Sequence, residues 1–153
     1  VVGYNANKGY SQNAEELEQK LMNSAFADKI QLIPAISRDE IHKVYGSADA
    51  FVMTSVQEGM PVSALEAGCC GLPIFSTMCG GVEDYVDDSI GRIFRIVDSE
   101  SFAQSLKAYL EGDICFDREH IRQRIVSRFG KKAFTDNMAS VFNEVIERSK
   151  TAD

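Results

Sequence analysis

The sequence predicts an α/β fold with a parallel sheet covered on both faces by helices. Three observations carry this reading. Short apolar runs alternate with helical patterns, the connections between them are short, and one run, Ala50-Phe51-Val52-Met53-Thr54, is apolar almost throughout. Alternation with short connections is the mark of βαβ units. An unbroken apolar strand suits a sheet buried on both faces.

Val1-Val2-Gly3-Tyr4 reads as a short strand or the end of one. Residues 11–26 read as an amphipathic helix, with Leu17, Leu21, Met22 and Ala25 at helical spacing among Glu, Gln and Lys. An apolar strand is expected within Ile30 to Ile36. Ser37-Arg38-Asp39-Glu40 has the form of a capping box, opening a helix buried through Ile41, Val44, Tyr45 and Ala48. The strand at 50–54 follows. A helix is then expected from about Pro61 to Cys70, with Pro61 at its first position and Gly71 as its stop. Pro73-Ile74-Phe75-Ser76-Thr77 is the next strand, and Ile90 to Val97 holds the last. Ser99 opens a helix carrying Phe102, Leu106, Tyr109 and Leu110. Residues 117–150 read as a helical C-terminal tail of one or two helices, broken at Gly130. Its inner face is expected to be Phe129, Phe134, Met138, Val141, Phe142, Val145 and Ile146.

The chain has 153 residues, enough for one α/β domain with a real core, and residues 1–153 are read as that domain. It opens without Met, so a piece of a longer chain is expected. Neither a signal peptide nor a membrane-length apolar run is visible. The net charge of −7 argues against general nucleic-acid binding, which needs clustered Lys and Arg. Cys69, Cys70, Cys79 and Cys115 lack paired zinc-type spacing, and buried reduced thiols in a cytoplasmic chain are expected. His42 and His120 sit among charged residues and read as surface positions. The stretch around Gly3 and Gly9 does not match a dinucleotide or P-loop fingerprint.

The chemistry concentrates where the strand at 50–54 gives way to a helix, the place where such folds bind ligands. Glu58 and Glu66 bracket that turn. Gly59 lets a ligand approach the backbone closely. Val62 and Ser63 offer N–H groups at the helix start, suited to a phosphate, whereas Pro61 has none to give. Glu66, deeper in the helix, suits two vicinal ribose hydroxyls, and Glu58 could accept from a sugar hydroxyl. The plain alternative is a Glu favouring the helix dipole and an exposed helical Glu66. A second candidate is Gly80-Gly81, paired glycines after a strand that can form a backbone nest for an anion, or a plain turn. Parallel neighbouring strands would bring both loops to one crevice.

Three linked segments carry a resemblance: 54–61 with its Glu58-Gly59-Met60-Pro61, 65–74 with its Gly71-Leu72-Pro73, and 80–86 with its Gly80-Gly81 pair. Together they resemble the GT-B glycosyltransferases of family 4, glycosyl transferases group 1. The resemblance covers nearly the whole chain and is most specific over residues 45–86.

It implies a Rossmann-like domain, the C-terminal, donor-binding half of a GT-B fold. By position, Glu66 would bind the ribose of a nucleotide sugar and Glu58, as the candidate catalytic residue, the donor sugar. Gly59, Met60, Pro61, Val62 and Ser63 would hold sugar and phosphate, and Gly80 and Gly81 would line the same pocket. The donor would be a UDP-, GDP- or ADP-sugar, with no metal or other cofactor, and the anomeric configuration would be retained. The parent would carry an N-terminal acceptor-binding domain, through which it could meet a membrane peripherally.

The departures from the family pattern are the absence of its first strand and of a basic Arg and Lys pair near it; Lys8 matches neither. A gap, a rearranged sheet or an exposed edge is therefore expected, and this piece alone should be inactive. Two other readings stay open: a GT-B-like sugar-nucleotide epimerase, and a non-catalytic α/β nucleotide-binding or regulatory module. The base, the sugar and the acceptor are not encoded in these motifs.

Overall fold

The computed structural model describes residue 2 and residues 12–150, with side chains unassigned at 12–15 and 17. The chain divides into two compact units, Val1–Ile41 and His42–Asp153.

In the first unit, α1 spans Gln12–Met22, and a short 3-10 turn covers Ala27–Lys29. Leu21 is half-buried, while Met22 and Ala25 are exposed. Leu17, Gly3, Tyr4 and Lys8 lie outside the described side chains or residues. The strand expected within Ile30 to Ile36 reduces to one parallel bridge between Val2 and Ile33. Pro34 explains this, because it has no N–H to continue a ladder. The expected capping box also takes another form. Ser37 O accepts from the amides of Glu40 and Ile41, and the Ser37 hydroxyl donates to the Glu40 carboxylate at 3.4 Å. These four residues form a turn, and helix α2 begins after it, at Ile41–Ser47.

In the second unit a three-stranded parallel sheet is built from β1 (Phe51–Met53), β2 (Ile74–Thr77) and β3 (Gly91–Phe94), in the order β1-β2-β3. Phe51 pairs with Ile74, and Ile74 with Gly91. β2 is buried along its whole length. β1 departs from the expectation of a strand covered on both faces, since Val52 is 47 % exposed. Val52 shares a face of the sheet with its partner Phe75, and the rings of Tyr109 and Phe116 that cover Phe75 there leave Val52 open on the edge strand.

The sheet's two faces are covered by different helices. Alternate side chains of β2 point to opposite faces. Ile74 belongs to a cluster with Ala64, Ile121 and Ile125, contributed by α3 (Val62–Cys69) and α5 (Arg118–Phe129). Phe75 packs its ring against Tyr109 of α4 (Ser99–Leu110) at 5.5 Å and edge-on to Phe116 at 6.0 Å. Asp98 and Asp117 cap α4 and α5 by accepting from amides of the first turn, which satisfies donors that a helix cannot pair internally. Leu110 lies on the open side of α4.

Close approach of α3 and α5 depends on Gly68, where an added Cβ would stand 2.8 Å from Ile125 Cγ1. α3 stops as the sequence predicts. Gly71, at φ 77°, donates to Gly68 O and Leu72 donates to Ala67 O, the paired bonds of a Schellman stop. The expected break at Gly130 is also present, between α5 and α6 (Lys131–Lys150).

The expected inner face of that tail is only partly inside. Ile121, Ile125 and Phe129 of α5 pack into the core. Phe134, Met138, Val141, Phe142, Val145 and Ile146 of α6 are exposed, Phe142 at 59 %. A twenty-residue helix is about 30 Å long, and α6 contacts mainly α5 within this chain. The three-stranded sheet is too small to cover such a length. Among the described residues no helix is long and apolar enough to cross a membrane.

Candidate functional site

The carboxyl ends of β1 and β2 lead into the two loops singled out from sequence, and the structure joins these loops directly. Thr77 at the end of β2 donates its hydroxyl to Ser55 O at 2.6 Å. The amide of Glu58 donates to Cys79 O at 2.6 Å. Parallel pairing of β1 with β2 is what delivers both loops to the same edge of the sheet.

The glycine pair is required by this contact. Gly80 and Gly81 have φ of 94° and 75°, values that side-chain-bearing residues rarely adopt. A Cβ on Gly80 would stand 2.6 Å from Glu58 O, and one on Gly81 2.1 Å from Gly59 O. Gly80-Gly81 thus lies flat against Glu58-Gly59-Met60. The anion nest expected from the pair is partly filled from within, because the Gly80 amide donates to Glu83 Oε1 at 3.1 Å. The other oxygen of Glu83, Oε2, is buried with no partner among the described residues. Sequence reading passed over Glu83 as a site residue. The signal available was a carboxylate three residues after a glycine, within reach of its amide.

Glu58 is exposed in the first loop, and its Oε1 accepts from the Ser55 hydroxyl at 2.8 Å. Gly59 and Met60 are exposed beside it. Pro61 is buried and stands one residue earlier than expected: it caps α3 rather than opening it, in extended backbone at φ −72°, ψ 98°. Pro restricts its own φ and cannot donate, so it suits either place. Pro61 O accepts from the amides of Ala64 and Leu65. The amides of Val62 and Ser63 come before those first helical bonds and have no protein partner among the described residues. Both residues are exposed. Two N–H groups at the helix start are therefore left without a protein acceptor among the described residues.

Glu66 lies one turn further along α3 and is half-buried. It is not the freely exposed helical Glu of the plain alternative, since Tyr45 of α2 donates its hydroxyl to Glu66 Oε2 at 3.4 Å. Burial, and then the neighbouring Glu66 carboxylate, push the Tyr45 phenol up to about 12. Tyr45 was read from sequence as part of a buried helix face and of the resembling stretch 45–86, and not as a site residue.

Among the cysteines, Cys79 is buried, Cys69 and Cys70 are half-buried, and Cys115 is exposed, all four as free thiols. Cys115 thus departs from the expectation of burial. Cys69 has its thiol pushed up by burial and by Cys70 beside it, the opposite of an activated thiolate. His42 and His120 are both exposed, as expected.

The site can therefore offer two carboxylates, two free amides and a close glycine backbone along one strand-to-helix edge. Carboxylates can accept from hydroxyls, and free amides can donate to an anion.

Residues 1–128 match the family model described as glycosyl transferases group 1. D-inositol 3-phosphate glycosyltransferase of Geodermatophilus obscurus is 29 % identical over 96 residues, which cover 62 % of this chain and 21 % of that protein. Sucrose-phosphate synthase from Thermosynechococcus elongatus shares the fold, with a TM-score of 0.82 at 18 % identity over 96 % of this chain and 38 % of its own. So does HepE from Anabaena, solved in complex with UDP, with a TM-score of 0.76 at 18 % identity over 85 % of this chain and 36 % of its own. The chain spans only about a fifth of the length of that glycosyltransferase and under two-fifths of the two structures. The parallel sheet flanked by helices is the GT-B half-fold, and a sugar-nucleotide epimerase is not favoured. The family match runs from the first residue through nearly all of α5, across both site loops, and this chain belongs to glycosyl transferases group 1.

Proposed function

We propose that residues 1–153 form the nucleotide-sugar donor domain of a retaining glycosyltransferase, with 117–150 as its helical tail. Glu66 accepts from the ribose hydroxyls. The free amides of Val62 and Ser63 meet the diphosphate, aided by the positive end of α3. Glu58, steadied by Ser55, contacts the donor sugar, and Gly59, Met60, Pro61, Gly80 and Gly81 shape the wall around it. Charge developing on the departing diphosphate would be stabilised by these fixed dipoles, without a metal ion.

The observation that carries this reading is the joining of the two loops through Glu58 N–H and Cys79 O, because it makes one site of two separate motifs. UDP bound to a protein of the same fold supports a nucleoside diphosphate as the ligand. The relatives' greater length supports a further domain that binds the acceptor. In this reading the parent is cytoplasmic, binds no nucleic acid, and meets any membrane peripherally through that other domain.

Calorimetric titration with UDP, GDP and ADP tests the reading. Saturable binding of one of them, weakened by Glu66→Ala, is the expected result. A folded chain that binds none of the three would instead be a non-catalytic α/β module.

A further inference from the structure

Glu66 must present its carboxylate in one orientation if it is to meet two hydroxyls at once. A glutamate side chain has three rotatable bonds, and ordering it costs free energy. An ionised carboxylate only accepts hydrogen bonds, so any group that fixes it must be a donor. One such donor reaches it, across 21 residues of sequence: the Tyr45 hydroxyl, 3.4 Å from Oε2. Among the described residues no protein group bonds Oε1. The Tyr45 ring is itself held, edge-on to Phe51 of β1 with centroids 6.2 Å apart.

We infer that Tyr45 is a positioning residue that sets the Glu66 carboxylate for a ribose diol, tying Oε2 to α2 and leaving Oε1 and the remaining lone pair of Oε2 for the ligand. The inference rests on the proposed role of Glu66. Burial and the Glu66 charge keep the phenol protonated through the neutral range, so the donor is always present. The orientation is then set before the ligand arrives, and the ordering cost is not charged to binding. Phe51 adds a link to the sheet: the ring that orients Glu66 is braced by the strand that ends in the Glu58 loop.

The test compares a nucleoside diphosphate with its 2′,3′-dideoxy counterpart on the 153-residue chain. The ribonucleotide is whichever of UDP, GDP and ADP binds most tightly by calorimetry. Wild type should prefer the ribo form, and Glu66→Gln should largely erase that preference. Tyr45→Phe should weaken ribo binding by about two- to tenfold, the cost of ordering one rotamer-rich side chain that binding must then meet, and leave dideoxy binding unchanged. If Tyr45→Phe keeps the wild-type ratio while Glu66→Gln loses it, the role of Tyr45 falls and that of Glu66 stands. If Tyr45→Phe weakens both ligands equally, Tyr45 is structural and the inference is overturned. If Glu66→Gln keeps the preference, or wild type binds none of the diphosphates, the reading of Glu66 falls and the inference falls with it.

Discussion

The amide of Glu58 donates to the carbonyl of Cys79 at 2.6 Å, joining the loop after β1 to the loop after β2. Everything proposed for the site depends on those loops keeping that spacing. Gly80 and Gly81 together allow it, and Gly81 is the tighter of the two, with a Cβ position 2.1 Å from Gly59 O and a φ of 75°. Gly81→Ala should therefore cost stability by about 1–3 kcal/mol through backbone strain. For a chain this long that is roughly 2–4 °C of melting temperature per kcal/mol. Differential scanning fluorimetry would detect it. Gly112→Ala serves as a control, since Gly112 also has a positive φ but has open space at its Cβ position. A loss confined to the generic cost seen at Gly112 would show that the loop contact is not tight.

The two carboxylates should separate in their effects. Glu66→Ala should weaken nucleoside diphosphate binding by about tenfold or more, because a hydrogen-bonded charge is removed. Glu58→Gln should leave that binding nearly intact and lower kcat/KM for sugar transfer in the longer parent enzyme by about tenfold or more, a loss in transition-state contact. Equal loss of diphosphate affinity in both variants would contradict the division of roles.

The core under the site is the contact of α3 with α5. Ile125 is 1 % exposed and fills the space that Gly68 leaves open. Ile125→Ala should destabilise by about 2–5 kcal/mol, from lost burial and a residual cavity. Chemical denaturation should show a lower midpoint with an unchanged slope. Gly68→Ala should destabilise too, by crowding against Ile125 Cγ1 rather than by a cavity, and combining it with Ile125→Ala, which removes Cγ1, should cost less than the sum of the two single changes.

Alkali should unfold the protein through its tyrosines. Burial raises the Tyr85 phenol to about 12, with Cys79 and Glu83 adding to it, and Tyr45 is raised to a similar value. An unfolded tyrosine ionises near pH 10. Between about pH 10 and 12 the unfolded chain therefore holds fewer protons than the folded one, and stability falls as pH rises. The contribution is intact below pH 10. Tyr85 Oη is buried without a partner among the described residues. Tyr85→Phe should be neutral or slightly stabilising at pH 7 and should flatten the alkaline fall. Urea midpoints from pH 8 to 11.5 would show both effects, and an unaltered alkaline slope would argue against this role for Tyr85.

The elements that sequence located well are those whose signal is local. The Schellman stop at Gly71, the break at Gly130 and the apolar β2 each follow from a few adjacent residues. The strand within Ile30 to Ile36 failed because Pro34 removes a donor, a local fact that outweighed the apolar pattern. The helix α6 is present as expected, and it is the burial of its inner face that departs. Its apolar period predicts a buried face, but periodicity says only which side is apolar. Whether anything lies against that side is a matter of tertiary packing, and this chain covers little of it.

By itself, the sequence determined the alternation of strands and helices, the family, and the pair Glu58 and Glu66 at one strand-to-helix turn. These are properties of spacing along the chain. Only the tertiary structure decided what those residues touch. Parallel pairing of β1 with β2 set Gly80-Gly81 against Glu58-Gly59. Packing of the helices on that sheet brought Tyr45 from α2 to Glu66 on α3 and left Val52 open. The physical reason is that a hydrogen bond between groups 21 residues apart, or a Cβ-sized gap between two loops, leaves no periodic trace in a single sequence. Such contacts exist only once the sheet has fixed where each loop begins.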